Sequence, residues 1–90
     1  MRVDVYLKLA RLVKRRSVAQ EMIRLGAVRV DGRPVKPSGE VRKGARVSVA
    51  FPRRLLVVEV LCDDEQLLRR KSEPYLVVEE RSLDGATSPW

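Results

Sequence analysis

Apolar residues recur at helical spacing in the first part of this chain. In residues 3–13 they lie three or four positions apart: Val3, Leu7, Ala10, and Val13 or Leu12. This period predicts a helix with one buried stripe. Basic residues repeat at the same spacing on another side: Lys8, Arg11 and Arg15. One helix would therefore carry a core stripe and a basic stripe.

A second helix is predicted directly after a run of cations. Ser17 is placed as its N-cap, with Gln20 at the position that reaches back to the cap amide. Four residues would form a compact apolar face: Val18, Ala19, Met22 and Ile23. Gly26 can adopt a left-handed C′ conformation and so ends the helix.

The period then changes to two, which is typical of strands. Residues 27–30 alternate and are followed by Asp31-Gly32, a strong hairpin signal. Val35 and Lys36 begin the return strand, which Pro37 ends. Val41 is expected in the core and Lys43-Gly44 in a turn. Arg46–Phe51 alternates again and predicts a further strand.

The last third of the chain is less regular. Residues 55–61 predict another strand, and residues 63–71 a short helix that packs through Leu67 and Leu68. Pro74 ends this helix, and residues 75–78 can form a final strand. Residues 82–90 have little to bury, so we expect them to be disordered, and Trp90 has no evident role.

These elements predict an α+β fold. Two short N-terminal helices form a basic corner that packs on a small, bent, mostly antiparallel sheet. Residues 1–61 would form the domain, including its added strand, and residues 62–90 a short acidic extension. The chain is 44% hydrophobic, enough for one thin core.

Absent residue types exclude several functions. The sequence has no histidine and a single cysteine, Cys62, which excludes a Cys/His zinc site and an internal disulfide. The usual general base of nucleophilic catalysis is also missing. We therefore expect no enzyme, no catalytic residue, no metal and no cofactor. The sequence contains neither a long apolar run nor a secretory signal, so we expect a cytoplasmic protein without a membrane partner.

Charge divides the chain into two parts. Residues 1–54 carry 15 Lys or Arg and four Asp or Glu, a net charge of +11. Residues 55–90 carry four Lys or Arg and eight Asp or Glu, a net charge of −4. A basic body with an acidic end is typical of a protein whose body binds a polyanion.

The candidate RNA-binding residues cluster around the predicted helical corner and the hairpin. They are Arg2, Lys8, Arg11, Lys14, Arg15, Arg16, Ser17, Arg33 and Lys36. Asp4 is expected to cap the first helix or to orient an arginine. The few aromatic residues are not interleaved with the cations, which argues against single-strand recognition by base stacking. Structured RNA, which is bound largely through its shape and backbone, fits such a surface better.

The spacing of these residues resembles a known family. The residues concerned are Arg2-x-Asp4-x-x-Leu7, Arg11, Arg16-x-x-Ala19, Ile23-x-x-Gly26-x-Val28-x-Val30-Asp31-Gly32, Val35 and Gly44. They resemble the RNA-binding domain named after small-subunit ribosomal protein four, over roughly residues 1–50. Val35-x-Pro37 and Lys14-Arg15-Arg16 are most similar to its small stand-alone bacterial members, of the heat-shock-protein-fifteen and RqcP types. Val3, Asp31 and Ala45 depart from the usual pattern.

The resemblance implies a function in ribosome quality control. It implies binding to a large ribosomal subunit obstructed by peptidyl-tRNA, with contacts to ribosomal RNA and tRNA. Such members assist rescue or C-terminal tailing of the stalled chain, so a tailing factor is a possible partner. We expect a monomer.

Three alternatives stay open at this point. A ribosome-assembly intermediate or free tRNA could be the RNA target instead. An accompanying enzyme domain would need more residues than 55–90 offer. A protein-interaction adaptor could use the acidic residues of the C-terminal part, which include Asp63, Asp64, Glu65, Glu79 and Glu80.

Overall fold

The computed structural model describes residues 1–70, 72–83 and 89–90, and within these it contains three helices and five strands. In chain order they are α1 (Val3–Leu9), α2 (Arg16–Arg24), β1 (Val28–Val30), β2 (Arg33–Pro34), β3 (Arg46–Phe51), β4 (Arg54–Val60), α3 (Glu65–Arg69) and β5 (Tyr75–Ser82). The predicted α+β fold is thereby confirmed. No helix in the described part of the chain is long and apolar enough to cross a membrane.

The strands form one antiparallel sheet in the order β2-β1-β3-β4-β5. Asp31 and Gly32 join β1 to β2 with φ angles of 51° and 78°, the two positive values that a type I′ turn requires. The predicted hairpin is confirmed. Its return strand ends at Pro34, so the prediction that Val35 and Lys36 belong to it is wrong. The chain leaves the sheet there because residues 37–39 bond to the start of α1.

The core lies between one face of the sheet and the first two helices. From the sheet it takes Val28, Val47, Val49, Leu56, Val58 and Val60, and from the helices Val3, Tyr6, Leu7, Ala19 and Ile23. Val41 is buried as predicted. The alternation of β3 predicted this face, because successive strand residues point to opposite sides of a sheet.

Helix α1 ends earlier than its apolar period predicts. The N–H of Arg11 donates to the carbonyl of Lys8, and that of Leu12 to the carbonyl of Leu7, both at 3.0 Å. Arg11 adopts a φ of 62° at this end, which is the left-handed C′ position of a Schellman motif. The prediction of one helix over residues 3–13 is therefore wrong, and Arg11 and Arg15 do not continue a helical stripe from Lys8.

Helix α2 begins at Arg16, with the extended residue Arg15 as its N-cap. The prediction that Ser17 caps the helix is wrong, because Ser17 lies inside its first turn. Gly26 ends the helix as predicted, with a φ of 79°. Val18 is 44% exposed and does not join the predicted apolar face.

The short helix α3 is capped by Asp64, whose side chain accepts hydrogen bonds from the N–H groups of Gln66 and Leu67. Leu68 packs into the core as predicted, whereas Leu67 is 48% exposed, contrary to the prediction. Strand β5 runs to Ser82, beyond the predicted 75–78, because it pairs along the length of β4.

The end of the chain makes specific contacts. Residues 84–88, for which disorder was predicted, lie outside the described residues, but Ser82 belongs to β5. The indole N–H of Trp90 donates to the carbonyl of Gly26 at 3.1 Å. The guanidinium of Arg29 lies 4.4 Å from the centre of the indole ring. Trp90, for which the sequence shows no evident role, thus contacts the α2–β1 junction.

Candidate RNA-binding surface

A fully buried carboxylate, that of Asp4, lies at the centre of the basic corner. Its Oδ1 accepts from Arg2 Nε at 3.1 Å and from the Val5 N–H at 2.8 Å. Its Oδ2 accepts from Arg2 Nη2 and Arg16 Nε, both at 3.1 Å, and from Gln20 Nε2 at 2.9 Å. One carboxylate thus fixes two arginines that are fourteen positions apart in the sequence.

These bonds keep the carboxylate charged. Burial alone would raise the pKa of Asp4, but the hydrogen bonds from Gln20, Arg2 and Arg16 outweigh it and lower the pKa from 3.8 to about 2. The expectation that Asp4 orients an arginine is confirmed.

The two arginines remain accessible although Asp4 is not. Their side chains are 46% (Arg2) and 47% (Arg16) exposed. Each guanidinium has five N–H donors and places one or two of them on Asp4, so the exposed part of each side chain can offer further donors to phosphate oxygens. Asp4 offsets only one of the two positive charges.

The remaining cations of the corner are exposed around this pair. Lys8 lies one helical turn beyond Asp4, and residues four apart share a helix face. Lys14 and Arg15 precede α2 in the connection between the helices. Arg11 is presented from its left-handed backbone position. Ser17 is exposed in the first turn of α2, where N–H groups and the helix dipole favour an anion.

The segment after β2 brings one more cation to this corner. The N–H of Val3 donates to the carbonyl of Gly39 at 2.7 Å, and that of Asp4 to the carbonyl of Pro37 at 3.4 Å. These bonds hold the exposed Lys36 next to the start of α1. Arg33 is exposed on the edge strand β2, opposite Val30, and lies outside the Asp4 network.

Gln20 is a partner of Asp4 that the sequence reasoning missed, since it was assigned to helix capping. Arg16 and Gln20 are four residues apart on the side of α2 that faces α1, so both side chains reach Asp4. This i,i+4 polar pair beside the buried Ala19 was the available sequence signal.

The described residues contain no group of three or more His, Cys, Asp or Glu side chains that could hold a metal ion. Cys62 is half-buried, and its Sγ lies 3.8 Å from the carbonyl of Asp64.

Comparison with known proteins agrees with this geometry. The S4 domain matches residues 1–47, which include α1, α2 and the hairpin. The RQC P-site tRNA stabilizing factor of Listeria monocytogenes is 32% identical over 85 residues, which cover 93% of this chain and 92% of that protein. The chain belongs to this family of S4-domain proteins. The resemblance seen in the sequence is thereby confirmed.

Other family members give the same picture. The factor of the same name in Bacillus subtilis is 32% identical over 84 residues, which cover 92% of this chain and 98% of that protein. In Streptococcus pneumoniae the identity is 41% over 61 residues. The fold is also similar to that of Vibrio cholerae Heat Shock Protein 15, described as trimeric, with a TM-score of 0.76 and 24% identity. That match covers 87% of this chain and 81% of the other.

Proposed function

We propose that this chain is a non-catalytic RNA-binding factor of bacterial ribosome quality control that works in the cytoplasm. It binds the large ribosomal subunit obstructed by peptidyl-tRNA, through ribosomal RNA and tRNA backbones, and assists rescue or C-terminal tailing of the stalled chain. The names of its relatives, which refer to P-site tRNA, support this target.

The observation that carries the proposal is the pair of half-exposed arginines held by one buried carboxylate. A guanidinium that is already oriented loses less side-chain entropy when it binds a phosphate than a freely rotating one. Lys8, Lys14, Arg15 and Lys36 surround this pair with further positive charge. The surface can therefore bind an RNA backbone of fixed shape. Arg11, Ser17 and Arg33 extend this surface.

Salt dependence tests the electrostatic part. If the eight cations of the surface each neutralise one phosphate, log K should fall with log[salt] with a slope of about −7. Affinity for large subunits should then fall roughly 10⁴-fold between about 50 and 200 mM salt. Binding that is insensitive to salt over this range contradicts the proposal.

The Arg16→Glu variant tests the position of the surface. It should release the protein from the subunit, while circular dichroism shows that the helices persist. Arg24→Glu is the matched control: it makes the same charge change in the same helix, about 12 Å along its axis. Equal losses in both variants would mean that only net charge matters.

Crosslinking in cells, followed by sequencing of the attached RNA, identifies the target. Crosslinks grouped on large-subunit RNA and tRNA support the proposal, whereas crosslinks concentrated on messenger RNA contradict it.

Because β5 pairs along β4, the acidic extension over residues 62–90 is better tested by substituting its exposed acids than by deleting it.

We also propose that the chain acts as a monomer. Strand β5 is an open edge of the sheet, and such edges invite pairing with another chain. Here the register shift opposite Val57 and Val58 leaves Val78 as an extra residue, and Glu79 and Glu80 follow it. A bulge and charges both discourage edge-to-edge pairing. A mass near 10.3 kDa in analytical ultracentrifugation is expected; a trimer mass contradicts this proposal.

A further inference from the structure

A cleft of about 300 Å³ opens beside the basic corner. It is lined by Leu9 and Ala10 at the end of α1, by Leu68 of α3 and by Pro74. These four residues give the cleft an apolar part. A site of this size with an apolar part can receive a flat organic group.

Three polar residues also line the cleft. Ser72 offers a hydroxyl and Glu73 a carboxylate, and the third is Arg11. Arg11 also belongs to the candidate RNA-binding surface, so the cleft and that surface are continuous through this residue.

The backbone of Arg11 is unusual for a residue with a side chain. Its φ of 62° is the conformation that glycine adopts at most helix ends of this type. A side chain there costs about 1 kcal/mol or more. Strained positions of this kind concentrate at ligand-binding sites, where the side chain is needed. The strain, the cleft and the adjoining cations are separate observations that point to the same place.

We propose that the cleft receives one unpaired nucleobase of the RNA that the basic corner binds. The proposal rests on the RNA binding proposed above. The apolar side chains of the cleft contact the ring of the base, while Ser72 and Glu73 meet the polar groups on its edge. Arg11 pairs with the adjacent phosphate. Proteins commonly read RNA at such unstacked bases, because the edges of paired bases are hidden in the duplex.

Charge favours a nucleotide over a peptide side chain at this position. The cleft opens next to Arg11, and Lys8 and Lys14 stand close to it in the sequence on the same basic corner. A neutral apolar side chain would gain nothing from these cations, whereas a base always arrives with phosphates attached.

Two RNA hairpins with the same stem provide the test, one fully paired and one with a single unpaired 2-aminopurine. The wild-type protein should bind the hairpin with the unpaired base roughly tenfold more tightly, the factor expected when roughly 55 Å² of the base's surface leaves water for the cleft. Emission of 2-aminopurine should rise on binding, since the base leaves its stacked neighbours for a cleft without aromatic walls.

Variants that fill the cleft separate this proposal from the proposed function. Ser72→Leu and Ser72→Met fill it with non-aromatic side chains of different shape, so one of them serves if the other does not fold. Each should abolish the preference and the emission change, with unaltered affinity for the paired hairpin.

Equal wild-type affinity for the two hairpins, or a preference that survives filling, overturns the nucleobase site and leaves RNA binding standing. If Arg16→Glu binds both hairpins as tightly as the wild type does, the proposed function itself is overturned.

Discussion

The hydrogen bonds of Asp4 predict a change in RNA affinity that is opposite in sign to the change expected from net charge alone. Asp4→Asn removes one negative charge and raises the net charge of the chain from +7 to +8. Charge alone would then predict tighter RNA binding. We expect weaker binding, because Arg2 and Arg16 lose the carboxylate that orients them. An affinity equal to or above that of the wild type would refute the orienting role.

The stability cost follows from the pKa of Asp4. A fall from 3.8 to about 2 corresponds to about 2 kcal/mol of unfolding free energy at neutral pH. For a domain of this size, that should lower Tm by roughly 8–16 °C. The half-exposed arginines can turn to water in the variant, which keeps the loss below the 3–5 kcal/mol typical of a broken, fully buried ion pair.

The pH dependence provides the sharpest check. Because folding lowers the pKa of Asp4, its contribution is complete above the unfolded value of 3.8 and is lost as pH falls through about 2. The wild-type advantage over Asp4→Asn, measured by denaturant unfolding, should be constant from about pH 5 to 8 and nearly vanish by about pH 2. An advantage that persists in acid would contradict this account. Glu21→Gln is the control: its carboxylate is 63% exposed and 4.0 Å from Arg24, so a change below about 0.5 kcal/mol is expected.

Two further substitutions test single structural features. Arg11→Gly should raise the unfolding free energy by about 1 kcal/mol, because glycine adopts a φ of 62° without strain, and yet weaken RNA binding; a variant that is less stable than the wild type contradicts the assignment of strain. Tyr6→Phe removes the 2.6 Å hydrogen bond from the buried phenol to the carbonyl of Pro74 and should cost about 1–2 kcal/mol in urea unfolding. Burial raises the pKa of Tyr6, so wild-type stability should fall as pH rises above the unfolded value of 10.0, and Tyr6→Phe should show less of this alkaline decline.

Local signals in the sequence predicted the elements that depend on them. Asp31-Gly32 forms its turn and Gly26 ends α2 because few other residues adopt positive φ values easily. The alternation over Arg46–Phe51 predicted β3 residue for residue, since period-two burial is a property of the strand itself.

The errors arose where distant residues override local preference. Ser17 is a good N-cap by propensity, but α2 starts at Arg16, two residues before the start that a Ser17 cap implies, and Arg16 and Gln20 both reach Asp4 on α1. Arginine does not favour a left-handed backbone, yet Arg11 adopts one, and the buried Val13 that follows it packs into the core. The cations of the corner were foreseeable from composition, whereas their attachment to one carboxylate required the packing of two helices.

Trp90 gives the protein a natural optical reporter. It is the only tryptophan in the sequence, so its emission comes from one place, with the indole ring against Arg29 and Gly26. Gly26 lies at the opposite end of α2 from Arg16, so the indole reports on the chain end at a distance from the basic corner. Collisional quenching by acrylamide therefore follows undocking of the chain end without any added label. If RNA binding at the basic corner undocks Trp90, then the two ends of the nine-residue helix α2 are coupled. The rate of that undocking can be measured by tryptophan fluorescence.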